Sequence, residues 1–211
     1  MRILERARSL INSKAPAGEI PPESLGKPLV YVCADIHGEL DRYQRLLKEI
    51  NFSADDELYI LGDAIDRFPH GVEILQDIMS RPNVHMLLGN HEDICLQTFD
   101  DKLDKIVRRE WIVNDGEATH AALSSLPAPE RLSIVEFISK LPDHIDLEVN
   151  GRKLHLVHAF PSSDHMERLW YRPSWNTPNP FPDKRTVVIG HTPVFYRDHG
   201  ERTPTDYVGW G

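Results

Sequence analysis

Cysteine is nearly absent from this chain of 211 residues: Cys33 and Cys95 are far apart and form no CxxC pair. A disulfide framework is therefore excluded, and Cys33, inside an apolar run, reads as a plain buried thiol. No apolar stretch approaches the roughly 20 residues needed to span a bilayer, and Met1 to Ser13 lacks the apolar segment of a secretory signal. Positive charge is also scarce. Twenty-four Lys and Arg against 33 Asp and Glu leave a formal charge of −9, which argues against a general nucleic-acid binder. Part of that acidity is expected to be local, in carboxylates that a cation would neutralise. By default these absences point to a cytoplasmic protein with no membrane and no nucleic acid among its partners. Its length allows one substantial core, in one domain or at most two.

Ile3, Leu4, Ala7, Leu10 and Ile11 recur at helical spacing, with Arg2, Glu5, Arg6 and Arg8 elsewhere on the turn. This start reads as a helix docked on its own domain or on a partner; an organelle address or a membrane-surface helix is the alternative. Pro16, Gly18, Pro21, Pro22, Gly26 and Pro28 then break up regular structure. Residues 1–28 are thus expected to be helix and proline-rich linker, and residues 29–211 the main folded domain. Short apolar runs at Leu29–Ala34, Leu58–Leu61 and Val84–Leu88 alternate with helical patterns through Leu40–Ile50 and Val72–Met79. That βαβαβ rhythm predicts an α/β fold with a largely parallel, buried sheet. Asp93 to Leu141 has helical periodicity and reads as an insertion covering one side of the active face. Asn150-Gly151 between Ile145–Val149 and Lys153–Val157 is a two-residue hairpin signal. Thr186–Ile189 is a last core strand, and Pro173–Pro182 a loop.

What the chain does have is a set of short polar segments placed just after predicted strands. They are Asp35-Ile36-His37-Gly38, Gly62-Asp63-Ala64-Ile65-Asp66-Arg67, Gly89-Asn90-His91-Glu92, His158-Ala159 and Gly190-His191. In sheets of this kind ligands bind beyond the carboxyl ends of the strands, so residues far apart in sequence converge on one edge. Asp35 and His37 are placed to grip one divalent cation, and Asn90, His158 and His191 a second; Asp63, with two carboxylate oxygens, is the natural bridge. Mixed oxygen and imidazole donors without thiolate suit manganese, iron or zinc better than calcium. Two cations about 3.5–4 Å apart polarise a phosphoryl oxygen and acidify a shared water for in-line attack on phosphorus. His91 is then placed to protonate the leaving group, Asp66 to hold its tautomer, and Arg67 to fork onto phosphate oxygens. A second arginine is expected, and Arg172 in Leu169-Trp170-Tyr171-Arg172 is the choice.

Taken as a linked set, these segments resemble the phosphoprotein phosphatase family of calcineurin-like metallophosphoesterases, in its bacterial and phage branch. The family's signatures read G-D-x-H-G, G-D-x-x-D-R-G, G-N-H-E, H-A/G-G and G-H, and the similarity runs from about Leu29 to Pro193. The resemblance implies a β-sandwich flanked by helices in four α/β/β/α layers. It implies metals on Asp35, His37, Asp63, Asn90, His158 and His191, a proton-donating pair in His91 and Asp66, and phosphate binding by Arg67 and Arg172, with Asn90 also near substrate. The L-W-x-R pattern is what matches Arg172. The chain departs from the pattern at Ala34, Phe68, Leu88 and Phe160. The family also continues further past its G-H motif, which leaves a truncated chain or a sheet short of an edge strand as the two readings. The implied activity is two-metal hydrolysis of phosphoesters, on phosphoserine and phosphothreonine first. Hydrolysis of a dinucleoside polyphosphate of the diadenosine tetraphosphate type, and a non-catalytic phosphate-binding relative, are the alternatives. Manganese is the preferred metal.

Overall fold

The computed structural model describes residues 28–99, 105–174 and 176–193. The helix expected over Met1–Ser13, nearly all of the linker after it, and the tail beyond Pro193 lie outside the described residues.

Three of the apolar runs form a parallel sheet in the order β1 (Val30–Cys33), β2 (Glu57–Ile60), β3 (Val84–Met86). Val30 pairs with Glu57 and Cys33 with Ile60, while Leu58 pairs with Val84. Helices α1 (Leu40–Glu49) and α2 (Gly71–Ser80) make the connections that parallel strands require. Because side chains alternate along a strand, each strand divides its apolar residues between two clusters. Tyr31, Cys33, Leu58, Ile60, Val84 and Met86 pack into the core shared with the helices. Val32, Leu61 and Leu87 meet Leu154, Leu156 and Val188 of a second sheet. That sheet is built from β4 (His144–Val149), β5 (Arg152–Val157) and β6 (Thr186–Ile189). β4 and β5 form the expected antiparallel hairpin, turning on Asn150 and Gly151 with φ of 51° and 75°, the left-handed pair such a tight turn needs. β6 runs parallel to β5. The result is a β-sandwich with helices packed on the first sheet.

Strand β3 ends before its apolar run does. Leu87 N–H still reaches Ile60 O at 2.8 Å, but Leu88 N–H turns away to Pro142 O at 2.8 Å. The middle of the chain is helical, as α3 (Asn90–Phe99), α4 (Lys105–Val113), α5 (Glu117–Ser125) and α6 (Ala128–Ser139). Trp111, Leu123, Ile134 and Ile138 from these helices are buried in the core beside α2 residues. One short helix, α7 (His165–Trp170), stands where the sequence reading has no element. Its signal is local: Asp164 accepts from Glu167 N–H at 2.9 Å, an N-cap in an Asp-x-x-Glu pattern. Among the described residues no helix is long and apolar enough to cross a membrane.

Candidate metal centre

The parallel strands β1, β2 and β3 and the parallel pair β5 and β6 end at one rim, where the loops after them interlock. Asp35 N–H donates to Gly62 O at 3.2 Å, His37 N–H to Asp63 O at 2.9 Å and Gly38 N–H to Ala64 O at 2.8 Å. His191 N–H donates to Asp35 Oδ2 at 3.0 Å, tying the second sheet to the first. Asp35, His37, Asp63, Asp66, Arg67 and His191 all have φ between 50° and 70°. Non-glycine residues adopt this region at a cost of roughly 1–3 kcal/mol each, and such residues gather at functional sites. The glycines of the motifs make room for them. A Cβ on Gly89 would overlap both the carboxylate and the backbone N of Asp63.

The donor atoms are arranged as a cation would need them. His37 Nδ1–H donates to Ile65 O at 3.0 Å, which leaves its Nε2 lone pair buried, without a hydrogen-bond partner and 3.6 Å from Asp63 Oδ2. Asp35 Oδ1 lies 4.0 Å from the same nitrogen. His158 Nδ1–H donates to Leu61 O at 2.6 Å, so its Nε2 lone pair points at Asn90 Oδ1, 2.9 Å away, with Asp63 Oδ2 at 3.5 Å. His191 Nδ1 lies 3.0 Å from that Asn90 oxygen. Lone pairs turned toward one another in a buried site repel unless a cation sits among them, and the fixed imidazole tautomers are those seen in metal-binding histidines. Among the described residues two groups with ligand-like spacing result, His37 with Asp63 and His91, and Asp63 with His158 and His191. Asp63 belongs to both.

The protonation states agree. Burial raises Asp35 and Asp63 to about 6, the neighbouring Asp63 charge adding to the effect on Asp35. Burial lowers His37 and His191 to about 3, helped by Arg67 at the first and by His158 at the second. A cation therefore competes with protons at the carboxylates and not at these imidazoles. Affinity for Mn²⁺ should be level above a pH of about 6 and decline below it, as the carboxylates take up protons, by up to ~10²-fold per pH unit if both do so. Calorimetric titration across that range measures the slope, and an affinity that stays level well below pH 6 contradicts it.

Beside these groups, His91 Nδ1 lies 2.7 Å from Asp66 Oδ2, both side chains being buried. Burial disfavours the His91 cation, but the Asp66 hydrogen bond and the charges of Asp63, Asp66 and Glu92 outweigh it and raise its pKa. Arg67 is exposed, and its charge is felt at Asp35, His37 and Asp63. Arg172 is exposed too, and its charge is felt at His191. Nearby Arg168 is committed elsewhere, to Asp143 at 2.7 Å and Ser162 O at 2.8 Å. Phe68 is exposed beside Arg67, Phe160 packs on Tyr171, and Leu88 is buried in the core. His155 stays off the rim, 2.7 Å from Asp146, as does His85, paired with Glu57. Cys33 is buried and pushed up to about 12, and Cys95 is raised too, chiefly by burial.

Three further residues shape this region, none of them assigned a role by the sequence alone. Glu92 is fully buried and its carboxylate accepts N–H groups from Asp63 (2.8 Å), Ala64 (2.9 Å), Ile65 (3.3 Å) and Gly89 (3.1 Å). It clamps the loop after β2 to the start of α3. The Gly89 bond is the reach-back of a capping box, a signal present in Gly-x-x-Glu. Trp111 and Thr119, both fully buried, contact Asp66: Trp111 Nε1–H donates to Asp66 Oδ2 at 2.7 Å, and Thr119 Oγ1 accepts from Asp66 N–H at 3.0 Å.

Residues 28–209 match the model of the calcineurin-like phosphoesterase family. The chain belongs to that family. A symmetrical bis(5'-nucleosyl)-tetraphosphatase of Nitrosococcus oceani is 30% identical over 86% of this chain and 60% of its own. Serine/threonine-protein phosphatase 2 of Escherichia coli is 27% identical over 65% of this chain and 61% of its own, in line with the phosphoprotein phosphatase branch. A metallophosphoesterase of Sphaerobacter thermophilus aligns with a TM-score of 0.48 at 20% identity, covering 69% of this chain and 50% of that one. The chain spans about half the length of the curated relatives it matches.

Proposed function

We propose that this chain hydrolyses phosphoesters at a two-metal centre held by Asp35, His37, Asp63, Asn90, His158 and His191. The observation that carries the reading is Asp63, one buried carboxylate shared by two ligand groups, with a hydrogen-bonded His91–Asp66 pair beside it. When bound, the two cations supply Lewis acidity to the phosphoryl oxygens and acidify the water that attacks phosphorus. The chain does the rest. Arg67 and Arg172 hold phosphate oxygens at the open rim. As the ester bond breaks, His91 gives its proton to the departing oxygen, and Asp66 keeps the ring aimed. Oxygen and imidazole donors without thiolate suit manganese, iron or zinc better than calcium, and manganese is the choice proposed, with iron or zinc as alternatives. The unpaired thiols of Cys33 and Cys95 support a cytoplasmic location.

Phosphoserine and phosphothreonine side chains are the preferred substrates, because among the described residues Arg67, Phe68, Tyr171 and Arg172 are exposed, where a bulky partner can meet them. A dinucleoside polyphosphate is the second reading, favoured by the long match to the Nitrosococcus oceani protein. Manganese-loaded protein should show a higher kcat/KM on phosphopeptides than on diadenosine tetraphosphate. Faster turnover of the dinucleotide overturns the substrate assignment. No turnover of either, with two metals bound, leaves a non-catalytic phosphate binder.

A further inference from the structure

We infer that the corner formed by the end of α4, the turn after it and the start of α5 is a positioning element for the proton donor, with Trp111 as its central residue. The inference rests on the reading of His91 as the group that protonates the leaving oxygen.

Asp66 is held from two sides. Its Oδ2 lies 2.7 Å from His91 Nδ1 and accepts from Trp111 Nε1–H, also at 2.7 Å. Its Oδ1 is buried and has no hydrogen-bond partner among the described residues. The carboxylate plane is therefore set through Oδ2 alone, by two donors acting together. Remove the indole, and the carboxylate has a single directional contact and can swing about its last torsion, carrying the imidazole with it. A neutral donor kept out of water is also worth more here than at a surface.

The same turn fixes the backbone beneath that carboxylate. Asp66 N–H donates to Thr119 Oγ1 at 3.0 Å, and Arg67 N–H donates to Asp115 O at 3.0 Å. These bonds land on two consecutive residues with φ of 70° and 65°, a conformation that a free loop would relax. The turn itself closes tightly on the indole: Gly116 N–H donates to Trp111 O at 3.0 Å, and a Cβ on Gly116 would overlap the indole ring. Trp111, Asp115, Gly116 and Thr119 thus form one unit, whose contacts run to the segment carrying both the dyad carboxylate and the phosphate-binding arginine.

A structural role and a positioning role separate by leaving group. A proton donor matters most when the departing oxygen is a strong base, as in a phosphoserine peptide, and least for 2,4-dinitrophenolate. Trp111→Phe keeps most of the ring volume and deletes the donor. With manganese bound, it should lose ~10–10²-fold in kcat on a phosphoserine peptide, the scale of a small misplacement of a reacting group. The loss on 2,4-dinitrophenyl phosphate should stay within about twofold, with KM and metal content unchanged. Thr119→Val, which keeps shape and removes the acceptor, should show the same selective pattern more weakly, and carries the test if Trp111→Phe fails to fold. Equal losses on both substrates, or no loss on either, overturn the inference. His91→Ala measured alongside keeps the two ideas apart. If it is selective and the Trp111 and Thr119 variants are not, only the positioning role falls. If it too lacks selectivity, the proton-donor reading falls first and takes the inference with it.

Discussion

Asp63→Asn should release both metals and abolish turnover. Among the described residues Asp63 belongs to both ligand groups, 3.6 Å from His37 Nε2 and 3.5 Å from His158 Nε2 through the same Oδ2. The amide keeps the volume and the acceptor for His91 N–H, which Asp63 Oδ1 takes at 3.2 Å, but it removes the charge that offsets two dications. Changes to residues merely behind a ligand usually cost 10–100-fold in metal affinity; loss of the shared ligand should exceed ~10²-fold at both positions. Elemental analysis after dialysis against metal-free buffer gives the occupancy, and p-nitrophenyl phosphate gives the rate. Two full equivalents retained after dialysis would contradict the bridging role.

His91→Ala should do the opposite to the metals. Turnover of a phosphoserine peptide should fall by ~10²–10⁴, the range for loss of a general acid, while two metals remain. The measurement decides something that distance alone does not, because His91 has a nitrogen close enough to His37 and Asp63 to belong to their ligand group. Its Nδ1 faces Asp66 at 2.7 Å, so only Nε2 remains to serve a substrate or an ion. Metal lost together with the imidazole would make His91 a ligand and leave the proton donor to be found elsewhere.

The sequence was legible where chemistry follows a strand. Asp35, Asp63, Asn90, His158 and His191 each come just after an apolar run, and the runs at Val30–Cys33, Glu57–Ile60, Val84–Met86, Arg152–Val157 and Thr186–Ile189 are strands in the fold. Parallel pairing then carries such residues to one rim whatever their separation along the chain. The hairpin at Asn150-Gly151 was legible for another reason: few residue pairs tolerate two consecutive positive φ values. What was not legible depends on contacts between elements with no fixed sequence offset. Trp111 reads as one more apolar position on an amphipathic helix, and nothing in its neighbourhood announces that its N–H meets Asp66, 45 positions earlier. Thr119 is equally anonymous. Glu92 was half visible, since its bond to Gly89 N–H is local and its bonds to Asp63, Ala64 and Ile65 are not.

The Glu92 clamp bears on how the site is charged with its ions. Because its four acceptor contacts come from the polypeptide alone, the loops carrying Asp63 and Asn90 are moored to each other by the chain's own N–H groups. Small domains whose ligands meet only on binding lose their shape when a chelator strips them. Here the loops are joined through the polypeptide itself, so that holding them together is not left to an ion.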